Sequence, residues 1–264
     1  MKFLFIVQGE GRGHFTQAIT LEEMLLRNGH EVVEVLVGKS STRTLPGFFN
    51  RSIHAPVKRF ISPNFLPTAD NKRANLTKSF AYNLLRLPEY LRSMYYINQR
   101  IRETGAEVVI NFYELLTGLT YALFRPSVPY ICVGHQYLFL HRDFESPDKN
   151  SCQLWMLRFF TRMTALRSSK KLALSFLEME QDDMNQIVTV PPLIRQEVTA
   201  IRPEKGDYIH GYMVNSGFAD SVESFHAKHP EVPLTFFWDR SDAEEVTRID
   251  ETLSFHQICL LYTS

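Results

Sequence analysis

The sequence predicts an α/β protein made of two doubly wound units, the second incomplete. Three observations carry that expectation. A strand, a glycine loop, a helix, a glycine stop and a second strand follow one another within the first 40 residues. Short β-rich runs then alternate with helical patterns, which is the order of a parallel sheet with helices on its faces. After a Pro-Pro pair the alternation restarts while the charge turns acidic. The 264 residues, 44% hydrophobic and 22% charged, suffice for two ordinary domains with buried cores and argue against general disorder.

Each element has its own signal. Phe3 to Val7 is a continuous apolar run, as expected of a strand buried on both faces. A helix follows over about 14–27, with Ala18, Leu21, Met24 and Leu25 at helical spacing. Asn28-Gly29 stops it, because glycine accepts a left-handed backbone. The run EVVEVLVG (31–38) is the second strand. Further strands are expected at 108–112, 128–133 and 171–176. Between them runs a long helix with Leu84, Leu87, Leu91, Met94, Ile97 and Ile101 on one side, kinked at Pro88.

The segment TVPPLIRQEV (189–198) carries the Pro-Pro pair, so the first domain is expected over 1–190 and a linker over 191–207. The second unit, 208–258, offers strands at 208–214, 233–238 and 253–256 and a helix over 218–228. It reads as a truncated domain that ends on an uncovered strand edge. The terminal CLLYTS, 259–264, resembles translated adapter sequence, so the genuine sequence is expected to stop near Ile258 and the chain to be a fragment.

The zero net charge conceals a strong asymmetry. Residues 43–102 carry eleven Lys and Arg against only Asp70 and Glu89, whereas residues 172–264 carry six basic and sixteen acidic residues. The basic stretch interleaves with Phe48, Phe60, Phe65, Tyr90, Tyr95 and other aromatics. That pattern suits an anionic membrane surface or a solvated face over core aromatics. No nucleic-acid motif accompanies it. Cys132, Cys152 and Cys259 have no paired spacing, which excludes a disulfide framework and a cysteine zinc site. The apolar start is too short for a signal peptide, and no run of about 18 apolar residues exists. A soluble, cytoplasmic protein is expected, peripheral at most to the inner face of a membrane.

The loop after the first strand reads Gly9-Glu10-Gly11-Arg12-Gly13-His14. Alternate glycines let the chain turn sharply and bring backbone N–H groups and a helix N-terminus toward an anion. A dinucleotide fingerprint would place the third glycine one residue later and an acid after the second strand. Here Lys39-Ser40-Ser41 stands where the acid should be, so NAD is disfavoured.

This loop, with the NGHEV turn into the second strand, resembles the N-terminal domain of GT-B glycosyltransferases, which have two Rossmann-like domains. It is most similar to the enzyme that adds N-acetylglucosamine to the peptidoglycan lipid precursor. The resemblance implies a glycosyltransferase that moves a sugar from a nucleotide-sugar to an acceptor hydroxyl with inversion. The first domain would hold a sugar, lipid-linked or small-molecule acceptor, and the second the nucleotide-sugar. It implies no metal and no cofactor besides that co-substrate. A nucleotide-sugar epimerase on the same scaffold, or an inactive acceptor-binding fragment, are the alternatives.

The resemblance makes His14 the candidate base, an imidazole kept partly neutral at a helix start; otherwise it caps the helix or binds an anion. Gly9, Gly11, Arg12 and Gly13 would meet acceptor or phosphate. Glu114, after the strand at 108–112, orients His14, binds the acceptor, or simply caps the next helix. His135 and Gln136, after the strand at 128–133, weakly resemble the family's His-Glu-Gln-Asn segment without its Glu and Asn in register, and would line the cleft. Asn215, Ser216 and Gly217 would meet the donor diphosphate, with Ser216 alternatively an ordinary helix N-cap.

Overall fold

The computed structural model describes residues 1–39, 45–64, 76–146, 151–202, 204–213, 216–238, 240 and 243–257. The apolar start forms β1 (Lys2–Gln8), in which Leu4 to Val7 are completely buried, as a strand covered on both faces requires. The glycine loop leads into α1 (Arg12–Arg27), which Asn28 and Gly29 end, the latter at φ +74°. β2 (Glu31–Lys39) returns beside β1. Of the expected stripe of α1 Ala18 is buried, but its buried neighbours are Phe15, Ile19 and Glu22, and Met24 faces solvent. A carboxylate replaces an apolar residue there because Glu22 accepts the backbone N–H groups of His54 at 2.9 Å and Ala55 at 2.8 Å.

α2 (Gly47–Ser52) and β3 (Val57–Ile61) come next, then α3 (Leu76–Leu85) and α4 (Leu87–Glu103). The last two correct the expectation of one helix kinked at Pro88. The chain breaks at Arg86, and Pro88 stands in the first turn of α4, where its missing N–H costs no hydrogen bond. Leu84, Leu87 and Leu91 are exposed, and the buried face of α4 is Tyr90, Met94, Ile97 and Ile101.

β4 (Val108–Phe112), α5 (Leu115–Phe124) and β5 (Tyr130–Val133) follow, then a 3-10 turn over His135–Leu140. The first unit continues through α6 (Cys152–Thr164), β6 (Lys170–Leu174), β7 (Ile187–Val190) and α7 (Gln196–Ala200). β7 ends at Val190, directly before the Pro-Pro pair. All seven strands are parallel, in the order β3-β2-β1-β4-β5-β6-β7. The order reverses between β1 and β4, which is where an open α/β sheet presents a crevice at its carboxyl ends. Leu4, Ile6, Leu36, Met94, Ile97 and Tyr130 share one core cluster. Elsewhere Phe5 packs on Phe112 at 5.1 Å and Phe15 on Phe49 at 4.6 Å, between ring centroids.

The chain divides into a unit of Met1–Asn64 with Asn83–Ile201 and a unit of Phe65–Tyr82 with Arg202–Ser264. In the second unit β8 (Ile209–Met213) is followed by a 3-10 turn, Ser216–Phe218, and α8 (Ala219–His226). Then come β9 (Leu234–Trp238), β10 (Val246–Arg248) and β11 (Leu253–Gln257). The order β10-β11-β9-β8 corrects the expectation that residues 253–256 form an open edge. β10 pairs antiparallel on β11, and a three-residue strand forms the edge instead. The core is Met213, Ala219, Leu234, Trp238, Leu253 and Phe255, with Trp238 stacked on Phe255 at 4.4 Å. His226 Nε2 lies 2.6 Å from Asp250 Oδ2 and ties α8 to the turn before β11.

Candidate functional site

The loop after β1, the turn after β4 and the turn after β5 meet at the carboxyl end of the first sheet. Gly9 is there for packing. Its N–H donates to Gly38 O at 2.6 Å, and a Cβ would stand 2.5 Å from that oxygen. This corrects the expectation that Gly9 offers its N–H to a phosphate. Gly11 is the extended N-cap of α1, and Arg12 is the first helical residue. Around Gly13 a Cβ would meet nothing within 4 Å, so the first turn of α1 is open on that side.

His14 stands in that first turn, 6% exposed. It does not cap the helix, since the N-cap is Gly11 and the ring bonds elsewhere. Nδ1 lies 3.4 Å from Gln17 Oε1, and Nε2 lies 3.4 Å from Gln136 Nε2. The ring lies nearly parallel to Tyr113, at 5.8 Å and 20°. Burial pulls the imidazole down to about 4, partly opposed by the Gln17 hydrogen bond and reinforced by nearby His135. Removal from water, rather than the helix dipole expected from its place at a helix start, is the larger cause of its neutrality. At neutral pH the ring is an uncharged proton acceptor.

Glu114 is completely buried and is the N-cap of α5. Its Oε1 accepts from Ser62 Oγ at 2.5 Å and from Leu116 N at 3.1 Å, while Oε2 is buried with no hydrogen-bond partner among the described residues. No hydrogen bond joins it to His14, so the structure gives it the capping role and leaves the orientation of His14 to Gln17. Burial raises its carboxyl to about 7, opposed by the Ser62 and Leu116 bonds and reinforced by Glu10. Gly38 makes room for it, because a Cβ there would overlap Oε2 and lie 2.8 Å from the Phe60 ring.

Sequence reasoning missed Gln17 and gave Tyr113 no role beyond its place at the carboxyl end of the strand at 108–112. Tyr113 holds a left-handed backbone, φ 60°, which a bulky residue adopts only where packing compels it. Its hydroxyl pairs with Thr161 Oγ1 at 2.8 Å, and its ring meets Tyr137 edge-on. Gln17 was detectable, since residues three apart on a helix face each other. His135 is exposed, and Gln136 faces His14.

In the second unit, Ser216 and Gly217 form the 3-10 turn after β8, and Asn215 lies outside the described residues. Ser216 is not the N-cap of α8, a place taken by Phe218. Among the described residues, no cluster of three or more His, Cys, Asp or Glu could hold a metal, and no helix is long and apolar enough to cross a membrane.

The fold recurs among solved structures. Arabidopsis thaliana UGT89C1 complexed with quercetin matches at TM-score 0.58 and 15% identity, over 99% of this chain and 71% of that one. A Streptomyces glycosyltransferase, SsfS6, complexed with thymidine diphosphate, matches at 0.55 and 13%, over 98% and 72%. UDP-GlcNAc 2-epimerase from Neisseria meningitidis, bound to UDP-GlcNAc, matches at 0.54 and 10%, over 98% and 72%. The chain spans 63–72% of the length of such structures. No curated protein matches it by sequence. The fold is thus the two-unit GT-B type, which transferases share with epimerases. The sequence itself matches the model of glycosyl transferase family 1 over residues 1–252. On that match the chain belongs to glycosyl transferase family 1.

Proposed function

We propose that this glycosyltransferase moves a sugar from a nucleotide-sugar to the hydroxyl of a sugar or small-molecule acceptor, with inversion. The first unit, through Ile201, would carry the acceptor at the carboxyl ends of β1, β4 and β5. The second would carry the donor at the turn after β8, where Ser216 and Gly217 lie and Asn215 is expected. The observation that carries the reading is His14: a buried, neutral imidazole at the switch point, with Nε2 turned toward Gln136. The acceptor hydroxyl displaces the Gln136 amide and gives its proton to Nε2. Its oxygen bonds to the anomeric carbon as the bond to the diphosphate oxygen breaks, and the diphosphate leaves with the electron pair. Gly11, Arg12, Gly13 and His135 would border the same opening. The neighbours complexed with quercetin and with thymidine diphosphate support both halves of this assignment.

An anionic membrane or lipid-linked acceptor rests on the basic stretch alone. Two of its cations, Lys58 and Arg100, are already paired with Glu34, each at 2.8 Å. A soluble acceptor is therefore the better supported class.

The test is turnover of a panel of nucleotide-sugars and hydroxyl acceptors by the wild type and His14→Ala. Loss of the base should lower kcat by about 10²–10⁴ with donor KM nearly unchanged. A kcat within twofold of wild type removes His14 from this role. Interconversion of a nucleotide-sugar without any acceptor would establish the epimerase alternative.

A further inference from the structure

Both ring nitrogens of His14 meet amides. Gln17 Oε1 lies 3.4 Å from Nδ1, and Gln136 Nε2 lies 3.4 Å from Nε2. An amide oxygen only accepts and an amide nitrogen only donates. The Gln17 oxygen therefore requires the hydrogen on Nδ1, and the Gln136 amide requires the lone pair on Nε2. The two contacts agree on one tautomer, and it is the one a base acting through Nε2 needs. Building on the base role of His14, we propose that Gln17 is the positioning residue that fixes this tautomer, and that it does so as a neutral amide rather than a carboxylate.

Among the described residues, Gln17 is the side chain that bonds Nδ1. It is itself buried, one helical turn on along α1. The titratable groups that face the ring from other elements are Tyr113, after β4, and His135, after β5. Neither is an anion, since burial pushes the Tyr113 phenol upward. Glu114, the carboxylate that follows Tyr113 in the chain, spends Oε1 on Ser62 and Leu116. Tertiary context thus supplies orientation without a negative charge. A carboxylate at Nδ1 would also stabilise the imidazolium and raise the affinity of Nε2 for a proton. An amide fixes geometry only, so the resting ring stays neutral. Gln136 completes the arrangement. Its Oε1 is buried with no hydrogen-bond partner among the described residues.

Long-range ¹H–¹⁵N spectra of the full chain read the tautomer and titration of His14 directly, without any substrate. The wild type should show one tautomer, Nδ1–H. Gln17→Leu should lose it to a mixture, with kcat down by about tenfold or more and donor KM within about twofold. Gln17→Glu should keep Nδ1–H, recover kcat and move the titration of His14 upward by about one pH unit or more. An Nε2–H ring in the wild type, an unaltered tautomer in Gln17→Leu, or an unmoved titration in Gln17→Glu would each overturn the proposal. Should Gln17→Leu fail to fold, the wild-type spectrum and Gln17→Glu still decide. Failure of the base role is a separate result, because His14→Ala can leave turnover intact while the tautomer is as stated.

Discussion

His14 and Glu114 respond to burial in opposite senses, and stability against pH records both. Burial holds His14 at about 4, below the ordinary 6.5, so between those values the unfolded chain takes up the proton more readily. Its contribution to stability is present above pH 6.5 and lost on acidification. Burial holds Glu114 at about 7, above 4.5, so there the folded chain takes up the proton more readily. That contribution is present below pH 4.5 and lost as pH rises through 7. From 4.5 to 6.5 the two slopes oppose each other. Glu114→Gln keeps the Oε1 acceptor that caps α5 and removes one slope. Its stability in urea should climb with pH across this window more steeply than the wild type's, the difference reaching on the order of 3 kcal/mol by pH 7. Parallel profiles would show that Glu114 does not titrate there.

Close approach between elements shapes the floor of the site. β2 must admit both the Glu114 carboxyl and the Phe60 ring at Gly38, which leaves no space for a side chain. Gly38→Ala should cost about 1–3 kcal/mol, read as a lower urea midpoint with an unchanged slope. The α3–α4 break gives a second check. A proline inside a helix costs about 3 kcal/mol, so Pro88→Ala in one kinked helix would stabilise by that order. In the first turn of α4 the same change should stay within about 0.5 kcal/mol. The midpoint of Pro88→Ala therefore separates the two descriptions.

Across the whole molecule, the basic stretch is less free than its composition suggests. Glu34, 4% exposed, comes from outside that stretch and binds both Lys58 and Arg100. Lys58→Glu would set a like charge against a buried carboxylate and should lower the urea midpoint measurably. Arg59→Glu, on the exposed side of β3, should change stability by no more than about 0.5 kcal/mol. If the pair matters as described, the two adjacent charge reversals will differ in denaturation. If they behave alike, Lys58 is a solvated surface charge. Co-sedimentation with anionic liposomes should accordingly be judged on Arg59→Glu, which leaves the Glu34 pairs in place.

The amino-acid sequence by itself determined β1, α1, β2 and the parallel α/β class. Those signals are local: an unbroken apolar run, glycines where the backbone turns, a left-handed stop at Gly29. Loops at strand carboxyl ends follow from strand order, so the residues of the candidate site could be named from it as well. The strands β3, β7 and β10 escaped notice because short, half-exposed strands are specified by their partners in the sheet more than by their own residues. The buried stripe of α1 was misjudged because Glu22 is satisfied by backbone from residues 54 and 55, a contact no periodicity reveals. Only the tertiary structure decided that Glu114 caps a helix instead of serving His14, and that two glutamines hold the imidazole. Protonation and hydrogen bonding depend on which groups share a water-free volume, and that is settled by packing between residues more than a hundred positions apart.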